Sequence, residues 1–235
     1  MQAVVLAAGE GTRMRPLTED RPKPLVSVGD RPLLSHGLER LVKLGVPELV
    51  LVVGYRKEAV IDHYGDEFQG VPVTYVHQRE QLGLAHAVAT AQPVVDDDFL
   101  VFNGDNLMEG TLEAVIERQR REDVDATLLV DEVSRDEAAE TGVFVTDADD
   151  RLTAVVEKPD DPPSTLVLTG LFAFDPDIFH ACHLVRPSDR GEYELTDAID
   201  LFLRADRRVE AVEFDGWRVN VNTPADRDRA ERHLE

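Results

Sequence analysis

A hydrophobic strand that runs directly into a glycine-containing loop constrains this chain more than any other feature. Ala3-Val4-Val5-Leu6-Ala7-Ala8 leads into Gly9-Glu10-Gly11-Thr12-Arg13-Met14-Arg15-Pro16-Leu17-Thr18, and Arg21-Pro22-Lys23-Pro24-Leu25 follows shortly after. Glycine lets the main chain approach phosphate oxygens closely, and backbone N–H groups can then donate to them. Arg13 and Lys23 supply compensating charge. The loop is not a P-loop, because G-x-x-x-x-G-K-[ST] is absent. It is not a dinucleotide fingerprint either, because Met14 stands where a third glycine belongs. A dehydrogenase reading is disfavoured for that reason. Taken alone, Gly9 and Gly11 fit a tight turn as well as a phosphate cradle.

The rest of the first half alternates strand and helix patterns. Strand-like runs are Ala3–Ala8, Leu49–Val53, Val71–Val76 and Phe99–Phe102. Helical patterns lie between them at Pro32–Leu44, Lys57–Tyr64 and Leu84–Ala91, the first opened by proline and stopped by Gly45. Such alternation predicts an α/β fold with a parallel sheet covered on both faces, and ligands at the carboxyl ends of its strands. In the second half, Ala126–Val130, Gly142–Val145, Leu152–Glu157 and Leu166–Phe174 read as strands without long helices between them, so antiparallel pairing is expected there. A helix at Leu195–Arg204, a strand at Val209–Phe214 and a charged helix at Pro224–Leu234 complete the pattern. Asp160-Asp161-Pro162-Pro163 is too short for a linker. We therefore read residues 1–235 as one domain, with a first part at about 1–110 that carries the glycine loop and a second part at about 111–235.

Composition narrows the partners. The net charge is −22 and the pI is near 4.6, so duplex nucleic acid and anionic membrane are poor partners. No apolar run approaches a membrane span, and the start lacks the order of a signal peptide. Cys182 is the single cysteine, which excludes an internal disulfide and a cysteine-based zinc site. A cytoplasmic protein fits. Phosphate ligands are anions too, so the site is expected to be a local cationic island. Lys23, Lys43, Lys57 and Lys158 are the only lysines among 25 basic residues. Scarce lysine beside abundant Asp and Glu gives the look of a salt-adapted, haloarchaeal-type protein.

Further motifs carry candidate chemistry. Phe99–Phe102 runs into Asn103-Gly104-Asp105-Asn106, and a carboxylate at a strand end facing a phosphate loop is a natural Mg²⁺ ligand. Glu157-Lys158-Pro159 ends another strand pattern. His77-Gln78 and Gly83 stand between a strand and a helix, with His86 inside that helix. The two histidines lack the spacing of a metal-binding helix face and read as bystanders.

The string G-x-G-T-R-x-x-P-L-T with R-P-K-P, then Gly104-Asp105-Asn106, then Glu157-Lys158-Pro159, closely resembles the sugar-phosphate nucleotidylyltransferases of the glucose-1-phosphate thymidylyl- and uridylyltransferase type. The resemblance spans nearly the whole chain. It implies a Rossmann-like, mixed but mainly parallel sheet flanked by helices, without the C-terminal β-helix that many relatives carry. It also implies Mg²⁺-dependent transfer from UTP or dTTP to a sugar-1-phosphate, glucose-1-phosphate first among them.

In that family the opening loop, here Ala8, Gly9, Gly11 and Thr12, cradles the triphosphate, and Arg13 and Lys23 touch its phosphates. Gln78 would read the pyrimidine, with Gly83 against the nucleoside. Asp105 would be the metal aspartate, and Asn106 a substrate contact. Lys158 would bind the sugar phosphate and Glu157 a sugar hydroxyl. The Thr141-Gly142 and Thr169-Gly170 segments would offer backbone groups to the sugar, and Arg190–Asp197 matches a family run. Trp217–Pro224 departs from the pattern: Asn220 stands where a second metal aspartate is usual, and Asn222 replaces a glycine. Asn220 is still expected to offer an oxygen to Mg²⁺. The departure keeps a second reading alive, an inactive nucleotide-sugar-binding regulator. Homo-oligomer formation is undecided by the sequence.

Overall fold

Side chains alternate across the first strand and enter two different cores. Val4 and Leu6 point to one face, Ala3 and Val5 to the other, and all four are buried. The computed structural model describes residues 1–146 and 152–234. In chain order the first half holds β1 (Gln2–Ala7), α1 (Leu33–Lys43), β2 (Leu49–Val53), α2 (Lys57–Tyr64), β3 (Val71–His77), α3 (Leu84–Thr90), β4 (Phe99–Asn103), β5 (Asn106–Gly110) and α4 (Glu113–Gln119). The second half holds β6 (Ala126–Glu132), β7 (Gly142–Thr146), β8 (Leu152–Glu157), β9 (Leu166–Phe174), α5 (Ile178–Leu184), α6 (Leu195–Arg204), β10 (Val209–Glu213), β11 (Gly216–Asn220) and α7 (Pro224–Leu234).

β3, β2, β1 and β4 lie side by side and parallel. β4 then meets β9 antiparallel, β9 meets β6 antiparallel, and β10 joins β6 in parallel. β7 crosses the start of β9, and β8 pairs with β7. The mainly parallel sheet with an antiparallel second part is therefore as expected, and one sheet carries strands from both halves of the chain.

The parallel strands are apolar on both faces because helices cover both. On one face Val4, Val50, Phe99 and Val101 pack with α3, α5 and α6 through Ala85, Val88, Phe179 and Ile199. On the other, Val5, Leu49, Leu51 and Phe102 pack with Leu34, Leu38 and Leu41 of α1 and Val60 of α2. The spacing of Leu34, Leu38 and Leu41 puts them on one stripe of α1. Burying each leucine contributes about 1.5–3 kcal/mol.

The elements the sequence reading passed over are short. β5 and β11 form a separate two-stranded ribbon with Asn106 opposite Asn220. α4 and α5 were likewise not expected as helices. Among the described residues no β-helix occurs, and no helix is long and apolar enough to cross a membrane.

Most arginines at the surface sit beside carboxylates, as in Arg118–Glu210 at 2.5 Å and Arg227–Glu231 at 2.6 Å. With a net charge of −22, the carboxylates left over still repel one another, and dissolved cations screen that repulsion. The melting temperature should therefore rise as KCl approaches the molar range. A flat or falling melt across a salt series would contradict the salt-adapted reading.

Candidate functional site

Four parallel strands deliver their carboxyl ends to one edge of the sheet, and a cleft of about 1180 Å³ lies along it. Every residue expected at the site lines this cleft: Ala8, Gly9, Gly11, Thr12, Arg13, Lys23, Gln78, Gly83, Asp105, Asn106, Gly142, Glu157, Lys158, Thr169 and Asn220. The loop after β1, the turn after β4 and the segment after β3 form one wall. The ends of β7, β8 and β9 form the other.

On the first wall, Gly11 adopts a left-handed backbone with φ +70°, and a Cβ there would fall 2.8 Å from Cβ of Lys23. Only glycine satisfies both the turn and the close approach. The loop thereby lies on the Lys23 stem, and Thr18 Oγ1 ties it back by donating to the Gly11 carbonyl at 2.9 Å. Lys23 is 9% exposed. Its ammonium donates to Asp105 Oδ2 at 2.8 Å and to Asn222 Oδ1 at 2.8 Å. Arg13 is exposed and donates to the same Asn222 oxygen at 3.1 Å. Asn222 in turn donates from Nδ2 to Asn220 Oδ1 at 2.7 Å. Two backbone features bring Asp105 and Asn220 together: the Asn106–Asn220 register pair, and the Val221 N–H donated to the Asp105 carbonyl at 2.9 Å.

Gln78 is buried, and its Nε2 donates to the Gly83 carbonyl at 3.1 Å and lies 3.0 Å from His86 Nδ1. His86 is thus no bystander: it orients the glutamine amide, a contact that sequence spacing cannot display. His77 lies 3.2 Å from the Lys57 ammonium. Gly83 has φ +107°, and a Cβ there would meet Tyr193 N and O at 2.7 and 2.6 Å. Its close neighbour is the Arg190–Asp197 run itself, with Ala85 N–H donating to the Tyr193 carbonyl and Tyr193 N–H to the Leu82 carbonyl. Gly83→Ala should therefore loosen both walls together. We expect a lower melting temperature and weaker binding of both substrates, and an unchanged melt would show that the contact does not matter.

On the second wall, Gly142 pairs with Glu157 across β7 and β8. Glu157 Oε2 accepts from Thr196 Oγ1 at 3.2 Å, and Oε1 accepts from Arg190 at 3.3 Å and lies 3.7 Å from the Lys158 ammonium. Lys158 has a left-handed backbone, φ 42°, uncommon outside glycine and persisting only where the surroundings fix it. Its N–H donates to the Thr141 carbonyl at 3.0 Å. Arg190 also bonds buried Glu194 at 2.9 Å. Burial, and then the Glu194 and Glu157 carboxylates, push the Asp197 carboxyl above its ordinary value. Thr169 spends its hydroxyl proton on the Leu129 carbonyl at 3.0 Å, so its side chain has no donor left for a ligand.

The cationic island is not found. Among the described residues the cleft is lined by eleven carboxylates and five lysines or arginines. Glu132, Asp136, Glu137 and Glu140 crowd its rim, because the acidic surface extends to the mouth of the site. Of the five cations, Arg218 and Arg229 sit beside Asp131 and Asp226, and Arg13 and Lys23 stand on one wall with Lys158 on the other.

Sequence reasoning missed Asn222, Thr196 and Asn103 as site residues. Asn103 Oδ1 and Asn106 Oδ1 are buried without a hydrogen-bond partner, and both residues line the cleft. A buried, unpaired acceptor costs about 1–3 kcal/mol, which is the mark of a group kept for a ligand hydroxyl or water. The position of Asn103 two residues before Asp105 was the available signal.

Comparisons with known proteins bear on this geometry. A family model described as "Nucleotidyl transferase" matches residues 2–219. The UTP–glucose-1-phosphate uridylyltransferase AglF of Haloferax volcanii is 55% identical over 235 residues, covering 100% of this chain and 97% of that protein. The glucose-1-phosphate thymidylyltransferase of Streptomyces griseus is 36% identical, covering 92% of this chain and 61% of its own length. Several other relatives are also longer, and the chain spans 54% of the bifunctional protein GlmU of Methanocaldococcus jannaschii at 36% identity. A solved structure of a putative glucose-1-phosphate thymidylyltransferase from Bacillus anthracis, in complex with a sucrose, superposes with a TM-score of 0.90 at 26% identity, covering 99% of this chain and 94% of the other.

Proposed function

This chain belongs to the nucleotidyl transferase family, and from that premise we propose that it transfers the uridylyl group of UTP to glucose-1-phosphate, giving a nucleotide sugar and pyrophosphate. The observation that carries the reading is the pairing of Arg13, Lys23 and Asp105 on one wall with Glu157 and Lys158 on the other wall of a single cleft. A triphosphate on the first wall and a sugar phosphate on the second would present a phosphate oxygen to the α-phosphorus. The attacking oxygen is already ionised and needs no general base. Catalysis then rests on positioning and charge neutralisation.

Arg13 and Lys23 hold the triphosphate, and Arg13, being exposed, can follow the departing pyrophosphate. Gln78 presents its amide to the base, with His86 fixing its orientation. Lys158 holds the acceptor phosphate, and Glu157 accepts from a sugar hydroxyl. In-line displacement by this route leaves no covalent intermediate on the protein. The similarity to AglF supports UTP and glucose-1-phosphate as the pair, and dTTP is the alternative donor. We place the reaction in the cytoplasm, where both phosphorylated substrates are made.

The donor set fits Mg²⁺. Mg²⁺ prefers oxygen ligands, one or two carboxylates and substrate phosphates. Asp105 supplies a carboxylate, and Asn220, brought to it by the ribbon pairing, supplies an amide oxygen that here accepts from Asn222 Nδ2. Asp105 and Asn220 would hold the ion, which would supply positive charge to offset the negative charge developing on the phosphates. Asn220→Asp, by adding a charge, should lower the Mg²⁺ concentration that gives half-maximal rate, and Asn220→Ala should raise it. Wild-type Mg²⁺ profiles in both variants would remove Asn220 from the ligand set.

The test of the substrates is a matrix of nucleoside triphosphates against sugar-1-phosphates, read by pyrophosphate release in high KCl. UTP with glucose-1-phosphate should give the highest kcat/KM. A clear preference for dTTP or another sugar would overturn that pair.

A further inference from the structure

Asn222 joins the two phosphate-wall cations through one neutral oxygen. Its Oδ1 accepts from the Lys23 ammonium at 2.8 Å and from the Arg13 guanidinium at 3.1 Å. A carbonyl oxygen has two lone pairs, so both are used. Its Nδ2 donates to Asn220 Oδ1 at 2.7 Å, and its backbone N–H donates to Asp226 Oδ2 at 3.1 Å, which anchors the residue at the start of α7. Lys23 and Arg13 are 199 and 209 residues away in sequence, so this contact fastens the opening loop to the far end of the fold.

Its neutrality is the unusual part. Several other arginines of this protein are held by carboxylates: Arg15 by Glu10, Arg31 by Glu39, Arg218 by Asp131. A carboxylate orients a cation but also satisfies its charge. Within a cleft lined, among the described residues, by eleven carboxylates against five cations, a further negative group on Arg13 and Lys23 would compete directly with phosphate. An amide oxygen orients the same donors without adding a charge of its own.

We propose that Asn222 is a positioning residue for the triphosphate: a neutral clamp that holds Arg13 and Lys23 side by side and adds no negative charge to that of Asp105, which already pairs with Lys23. This rests on the nucleotidyl-transfer reading above. A glycine, which stands at this position in the motif the chain resembles, has no side chain with which to do this. A neutral holder suits a site that must bind an anion inside an acidic protein.

The test measures UTP binding by calorimetry at saturating Mg²⁺, together with steady-state kinetics, for Asn222→Gly and Asn222→Asp. Asn222→Gly should weaken UTP binding several-fold and raise its KM, with the KM for glucose-1-phosphate unchanged. Asn222→Asp keeps the shape but adds a charge, and should weaken UTP binding by about tenfold or more, each tenfold being one 1.36 kcal/mol step. Its deficit should shrink as KCl rises, because salt screens the added charge, whereas the Asn222→Gly deficit should not. Wild-type UTP affinity in either variant would overturn the clamp. So would tighter UTP binding by Asn222→Asp, which would make residue 222 a direct metal ligand instead. Equal losses for both substrates would mark a general packing defect and also overturn it. A wild-type protein that binds no UTP would instead sink the nucleotidyl-transfer reading, and the clamp with it.

Discussion

Asp105→Ala is expected to lower turnover on the order of a thousandfold, the scale seen when a charge-stabilising group is removed from a water-excluded site. Asp105 contributes in two ways. Its carboxylate is the charged member of the proposed Asp105–Asn220 pair, and an amide oxygen alone would hold a hard dication weakly. It is also the counter-charge of Lys23, whose side chain is only 11% exposed. Truncation leaves that ammonium with the Asn222 oxygen as its remaining partner, so the variant should lose stability as well as activity. Asp105→Asn separates the two effects. It keeps an acceptor for Lys23 and should recover most of the melting temperature while staying nearly inactive. Near-wild-type rates in Asp105→Asn at ordinary Mg²⁺ would show that the carboxylate charge is not needed.

Lys158→Ala should reduce kcat/KM for the sugar phosphate by an amount on the order of 2–4 kcal/mol in transition-state free energy, the size of a charge-assisted contact in such a site. The KM for glucose-1-phosphate should rise and kcat should fall, while UTP binding by calorimetry is kept, because Lys158 stands on the opposite wall from Arg13 and Lys23. The left-handed backbone at Lys158, φ 42°, adds an internal control. Alanine retains the backbone strain, and glycine relieves it. Lys158→Gly and Lys158→Ala should therefore be equally inactive yet differ in melting temperature, with glycine no lower. Unchanged kinetics in either variant would remove Lys158 from the site.

The parts of this molecule that could be read from sequence are those written locally. Strand β1 and its loop, the Asp105 turn and the Glu157-Lys158 strand end are contiguous strings, and the parallel order follows from alternating apolar runs that need helices on both faces. The stripe Leu34, Leu38, Leu41 likewise declares α1 without tertiary information. What stayed hidden depends on contacts across the chain. Asn222 looked like a replaced glycine because its partners, Lys23 and Arg13, lie at the other end of the sequence. His86 looked idle because its partner is a buried amide eight residues away, across a turn. The β5–β11 ribbon was passed over because its strands, Asn106–Gly110 and Gly216–Asn220, carry no continuous apolar or alternating run to mark them. The expected cationic island failed for a different reason. It inferred local charge from ligand chemistry, whereas the acidic surface runs up to the rim and leaves selected cations to do the binding.

The most direct test of nucleotidyl transfer is the stoichiometry of products from α-labelled UTP and glucose-1-phosphate, in high KCl with Mg²⁺. Pyrophosphate and labelled nucleotide sugar should appear one for one, both should require the sugar phosphate, and no label should remain on the protein. Binding of UTP or a nucleotide sugar without release of pyrophosphate would contradict the account and identify a regulatory binding protein. Pyrophosphate released without the acceptor, or label retained on the chain, would contradict direct in-line transfer.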